Sequence, residues 1–181
     1  MLERYSEVLG LPVICVEDGK KVGVVKNIIF CPKRKKLLAF LLECKSYELN
    51  KKVVLQEDII NLGKDAVIIK DLSSLQTLRK AKNTDEFTEK GEVIGLRVYS
   101  KAGDDMGVVK DVIFDYKSWT IDGVEISDGL IQDIVKGRSV LPLLGKVEFG
   151  ESIILVDKEA VEEMTETGGG LKNIIDDIKD D

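Results

Sequence analysis

Apolar residues in this chain come in short runs. Val, Ile, Leu and Phe cluster over a few positions at a time, and Gly, Asp, Asn and Lys bound each cluster. That is the pattern of short β-strands joined by turns. Asp18-Gly19 separates Val13–Val16 from Val22–Phe30, a tight-turn signal because glycine accepts positive φ. Within the second run Val24, Ile28 and Phe30 share a face that Lys26 interrupts, which predicts a bulge or an edge position. Helical spacing appears elsewhere. Leu72, Leu75 and Leu78 fall three apart in 71–83, behind Ser73 or Ser74 as N-caps, and predict a short linker helix. Residues 84–92 are mostly polar and read as a joint. Asp157 can cap a helix over 158–164 that Gly168–Gly170 ends, and Leu171, Ile174, Ile175 and Ile178 then mark one face of a final helix.

The strand pattern is written twice. Residues 9–31 read LGLPVICVEDGKKVGVVKNIIFC and residues 94–115 read IGLRVYSKAGDDMGVVKDVIFD. Gly10 matches Gly95 at an offset of 85, and Gly19 and Gly23 match Gly103 and Gly107 at 84, so one residue is lost before the turn. Six of the eight positions from Gly23 to Phe30 recur identically in Gly107–Phe114, and Lys110 breaks the Val108, Val112 and Phe114 face where Lys26 breaks the first. Weaker similarity carries the copies over 8–70 and 93–157, a tandem duplication. Copy two holds an insert at 127–138, with Leu130, Ile131, Ile134 and Val135 at helical spacing, where copy one has the shorter 46–52. Several short strands in so few residues bury an apolar face by curling into a small barrel. The predicted fold is therefore mainly β: two tandem small β-barrels, 1–70 and 93–157, with a linker at 71–92 and an acidic helical tail at 158–181.

Composition narrows the chemistry. The 181 residues include no histidine, which removes Ser-His-Asp and Cys-His nucleophiles and imidazole zinc sites. Cys15, Cys31 and Cys44 form no C-x-x-C pair and sit in apolar surroundings, the pattern of reduced thiols in a cytoplasmic protein. The first residues lack the apolar stretch of a secretory signal, and the longest apolar run, Leu37–Leu42, is too short to cross a bilayer, so no membrane insertion is expected. Acid pairs at Glu17-Asp18 and Asp104-Asp105 read as turn residues. Gly168–Gly170 reads as a hinge and Cys31 as a structural thiol. No catalytic, cofactor-binding or metal-binding residue is expected.

At Gly-x-x-Val, then Gly-x-Val-x-Asp/Asn-x-x-Phe, a Val140-Leu141-Pro142 strand and a Gly-led final ribbon, the chain resembles the PRC-barrel family. The resemblance covers both copies. It implies a non-catalytic small barrel that docks other proteins or RNA–protein assemblies, with structural glycines and core apolar residues as its motif.

Charge layout is where the copies part. The chain's net charge is −6, yet residues 1–70 carry +4, 71–92 carry −1, 93–157 carry −4 and 158–181 carry −5. Copy one concentrates Lys33, Arg34, Lys35 and Lys36 in one hairpin loop, with Lys20, Lys21, Lys51 and Lys52 elsewhere. Such a run suits an anionic partner, whether RNA backbone, an acidic protein face or anionic lipid headgroups, or is a solvated loop, or reflects pairing of copy one with the acidic tail. No aromatic is interleaved in the run to offer base stacking. The Leu171, Ile174, Ile175 and Ile178 face needs a surface to form against, its own barrels or another subunit. The expected function is an adaptor or scaffold that binds partner proteins. The alternative is an RNA- or ribosome-associated assembly factor working through the basic loop, and a homo-oligomer through the C-terminal helix also stays open.

Overall fold

The structure, a computed structural model, describes residues 1–31, 34–44, 52–81, 93–127, 139–143, 147–150 and 152–166. The joint at 84–92, the helical spacing of the insert and Gly168–Gly170 lie outside them. The chain divides into two compact units. One takes the described residues of Tyr5–Gly91 and adds Ser118–Thr120; the other takes Met1–Arg4, Glu92–Lys117 and the described residues from Ile121 onward.

The first unit is a curled sheet in the order β6 (Ile59–Leu62), β7 (Val67–Ile69), β2 (Pro12–Cys15), β3 (Lys21–Cys31), β4 (Lys36–Glu43), β5 (Lys52–Leu55), β8 (Leu75–Thr77). Only β2 and β7 run parallel; the other neighbours are antiparallel. Lys26 is the extra residue of a bulge: Val25 faces Leu42 and Asn27 faces Leu41. One added residue reverses the inward parity of everything after it. Gly23 and Val25 therefore point inward before the bulge, and Ile28 and Phe30 after it. The sequence pattern grouped Val24 with Ile28 and Phe30; the bulge gives that place to Val25.

The second unit repeats this order with β13 (Val147–Phe149), β14 (Ile153–Val156), β9 (Arg97–Ser100), β10 (Asp105–Asp115), β11 (Thr120–Ser127), β12 (Ser139–Pro142), and again the β9–β14 pair is the parallel one. The duplication reaches the level of single hydrogen bonds. Gly10 N–H donates to the Val25 carbonyl (2.8 Å) and Val25 N–H to Leu11 (3.0 Å); Gly95 and Val109 do the same (2.9 Å), as do Val109 and Leu96 (3.0 Å). Both glycines hold positive φ, +80° and +88°. Gly23 and Gly107 serve close approach instead: a β-carbon on Gly23 would stand 2.7 Å from the Glu43 carbonyl oxygen, and one on Gly107 would overlap that of Ser127.

The second unit differs in adding β1 (Leu2–Arg4), which lies antiparallel on the far half of β10, Glu3 opposite Phe114. Both units bury aliphatic and aromatic side chains, Phe40 and Phe114 among the largest.

The predicted linker helix is corrected. Asp71 caps a 3-10 turn at Leu72–Ser74, accepting from Ser73 N–H (2.9 Å), and Leu75–Thr77 then extend to pair with β5. Only α2 (Leu78–Ala81) is helical, and it lays Leu78 and Ala81 against Ala39, Val53, Ile29, Leu41 and Leu55. A spacing of three suits a helix, but the open edge of β5 offers backbone partners that outweigh it. The helix predicted at 158–164 is present as α3 (Lys158–Glu166), with α1 (Tyr5–Val8) a single turn near the start.

Candidate interaction surface: the basic hairpin of the first unit

The predicted basic loop is the turn between β3 and β4. Cys31 and Lys36 form the last pair of that hairpin. Arg34 is exposed, while Lys35 and Lys36 are half-buried; Lys33 lies outside the described residues, as do Leu171, Ile174, Ile175 and Ile178. Lys35 holds φ +50°, a left-handed conformation that side-chain-bearing residues adopt at a cost. Trp119, 84 positions later at the matching hairpin turn, does the same at +57°.

Trp119 brings an aromatic to the basic turn. Leu37 N–H donates to its carbonyl (2.9 Å), Thr120 pairs with Lys36, and its indole meets the buried Phe40 edge to face at 5.8 Å. The run of four basic residues contains no aromatic, yet the fold places one beside it. The signal available in the sequence was the alignment of the only tryptophan with Lys35. Lys20 and Lys21, by contrast, sit at the opposite end of the eleven-residue β3, about 30 Å away at strand rise. Lys20 lies 3.3 Å from Asp18, and Lys52 is in β5. Among the described residues, the basic side chains of copy one do not converge on one patch.

The acid pairs at the turns form local hydrogen bonds. Asp18 accepts from Lys20 N–H (3.1 Å), which, with the Cys15 thiol, holds its carboxyl below the usual range. Asp104 exchanges hydrogen bonds with Ser100, and Asp105 accepts from Gly107 N–H (3.0 Å) while meeting Arg97 at 2.6 Å.

A polar site lies behind the Lys26 bulge and at the matching place of the second unit, and sequence reasoning missed its partners. Asn27 Oδ1 accepts Ile28 N–H (2.7 Å) and Asp111 Oδ1 accepts Val112 N–H (2.8 Å), so the Asn/Asp position caps the same backbone group in both units. Tyr5 then donates its hydroxyl to Asn27 (2.9 Å). In the second unit Arg4 bonds Glu125 and stands 3.7 Å from Asp111, both carboxylates being buried. By the 84-residue offset, Glu125 occupies the place of Leu41.

A family model for the PRC-barrel domain matches residues 1–76 and again 87–162, most of the chain. The chain belongs to the PRC-barrel family. Each PRC-barrel match covers one set of the repeated strands, and the first also takes in β1 and the opening of β8. No curated protein matches the chain. Among the described residues, no helix is long and apolar enough to cross a membrane.

Proposed function

We propose that this tandem PRC-barrel chain is a non-catalytic adaptor that holds partner proteins on the surfaces of its barrels. One observation carries the reading. The positions the two copies share are spent on the fold: Gly10 and Gly95 on turns, Gly23 and Gly107 on close approach, Asn27 and Asp111 on capping the next backbone N–H. What the copies do not share is surface charge, +4 over 1–70 against −4 over 93–157. Two like frames with unlike faces suit the joining of two different partners. Cys15, Cys31 and Cys44 are free thiols, two of them buried, which fits a reducing compartment such as the cytoplasm.

The test is capture from native lysate with and without RNase across a salt series. An adaptor keeps its protein partners through both treatments; partners that leave with RNase overturn the reading. Trp119 beside Arg34–Lys36 favours RNA as the second reading, because an aromatic face next to cations is what single strands use. Changing Lys33, Arg34, Lys35 and Lys36 to Ser then abolishes RNA retention, and unchanged retention removes that reading.

A further inference from the structure

The two barrels treat the same place in opposite ways. In the second, Lys101 follows the last residue of β9 and donates its N–H to the Val156 carbonyl (2.9 Å). Its ammonium lies 2.6 Å from Glu148 and 2.8 Å from Asp157. Glu148 comes directly after Val147, the partner of Val156. In the first barrel Val16 N–H donates to the Ile69 carbonyl (3.0 Å), and Ile69 pairs with Ile59. The place of Lys101 is thus taken by Val16; Ile60 is the extra residue of a bulge between Ile59 and Asn61, and Asn61, opposite Ile68, takes the register place of Glu148.

Those aliphatic side chains are in water. Val16 is 60% exposed, Ile60 54%, and Leu72, three residues past Ile69, 51%. Val16 and Ile60 flank β7, about 10 Å apart at sheet spacing. Single exposed aliphatics are ordinary; Val16 and Ile60 on either side of β7, with Leu72 just past its end in the chain, make an apolar surface beside the place where the second barrel has Lys101 in its ion pairs. Glu17 and Asp71 adjoin Val16 and Leu72 in the chain, Glu57-Asp58 precede Ile59, and the exposed Lys70 beside Asp71 sets a base among these four acids, so that the rim of this surface is net acidic. Burial, then Glu57 and Asp71, push the Asp58 carboxyl above its usual range.

We propose that this end of the first barrel docks a partner segment of aliphatic side chains flanked by lysine or arginine. The inference rests on the adaptor reading and names the partner's chemistry. An apolar centre with a polar rim is the anatomy of an interface, and an acidic rim selects a basic partner. The chain's own tail, net −5 over 158–181, is repelled by that rim. A symmetric second copy would set acid against acid.

The test uses the full chain and the variant V16K/I60E, which replaces two of the exposed aliphatic side chains by opposite charges and leaves net charge unchanged. Probes are fluorescein-labelled synthetic peptides of leucine and lysine, leucine and glutamate, or serine and lysine, read by fluorescence anisotropy. The leucine–lysine peptide binds the wild type at least tenfold more tightly than either control, and V16K/I60E weakens it about tenfold or more. A second variant, E17Q/E57Q, weakens it by about threefold and flattens its salt dependence. Equal affinity of wild type and V16K/I60E overturns the proposal, as does equal binding of the glutamate peptide. A wild-type dimer that V16K/I60E converts to monomer in sedimentation also overturns it, by making a second copy the occupant. If V16K/I60E still holds the same lysate proteins, the adaptor reading stands and this site falls; a wild-type chain that captures no protein removes both.

Discussion

Arg4 holds two buried carboxylates in place, and its removal is the sharpest test of how the second barrel is built. Asp111 and Glu125 are 2% and 3% exposed, and the guanidinium contacts Glu125 while standing 3.7 Å from Asp111. Arg4→Met keeps most of the aliphatic stem and removes the charge. Breaking a buried pair from one side costs about 3–5 kcal/mol, because the remaining charge is left in a poor solvent. For a chain of this size that is a fall of about 6–20 °C in Tm. The compensating variant comes from the first barrel, which has Asn27 and Leu41 where the second has Asp111 and Glu125. R4M/D111N/E125L therefore removes every member of the cluster and recovers most of the loss. Urea unfolding followed by circular dichroism gives the energies, and hydrogen exchange by mass spectrometry localises the loss to β1, β10 and β11. If Arg4→Met lies within about 1 kcal/mol of wild type, or the charge-free triple is no more stable than the single variant, the cluster does not hold the barrel.

Three further outcomes follow from positions already described. Gly107→Ala costs about 3 kcal/mol, since φ is +113° and the new carbon overlaps the Ser127 carbonyl, whereas Gly23→Ala costs about 1–2 kcal/mol in ordinary backbone; equal values in urea unfolding contradict this. Lys35→Gly relieves a left-handed residue and gains up to about 1 kcal/mol, while Trp119→Gly at the matching turn loses about 2 kcal/mol because the ring is seated on Phe40; melting curves distinguish the two signs. Carboxyl NMR finds Asp58 titrating above 3.8 and Asp71, held by the Ser73 hydroxyl, below it. By linkage, Asp71 stabilises the fold above its unfolded pKa and that support fades as pH falls, whereas Asp58 destabilises when ionised and is relieved as pH falls through its raised value. Glu57→Gln moves Asp58 downward; no movement refutes the coupling.

Much of the fold could be read from local pattern. Gly23–Phe30 and Gly107–Phe114 announced the duplication, and Lys26 announced a bulge, because each is a matter of neighbours in the chain. The bulge's effect on parity was harder: placing Val25 rather than Val24 inside requires knowing that Lys26 is the extra residue. Leu75–Thr77 were misread because the edge of β5 that recruits them is a tertiary fact. The candidate site was legible in charge and not in place. Lys33–Lys36 mark a hairpin turn, but the separation of Lys20 and Lys21 from it, and the arrival of Trp119 beside it, depend on strand length and on pairing across more than eighty residues. Val16 and Ile60 carry no pattern at all; only comparison of Val16 with Lys101 in space shows an aliphatic side chain where the other barrel has a salt bridge.

Arg4 and Glu125 are 121 residues apart in the chain. At ordinary rates of synthesis, that gap lasts roughly 6–24 s. During it, the segment that completes the later barrel is already made and has nothing to join, and the earlier barrel still awaits Ser118–Thr120. In the order of translation, each unit therefore waits on a segment made after residue 117 for its full set of contacts. A ribosome stalled between residues 93 and 117 would present a first barrel without Ser118–Thr120 and a second whose strands β11 to β14 are still unmade.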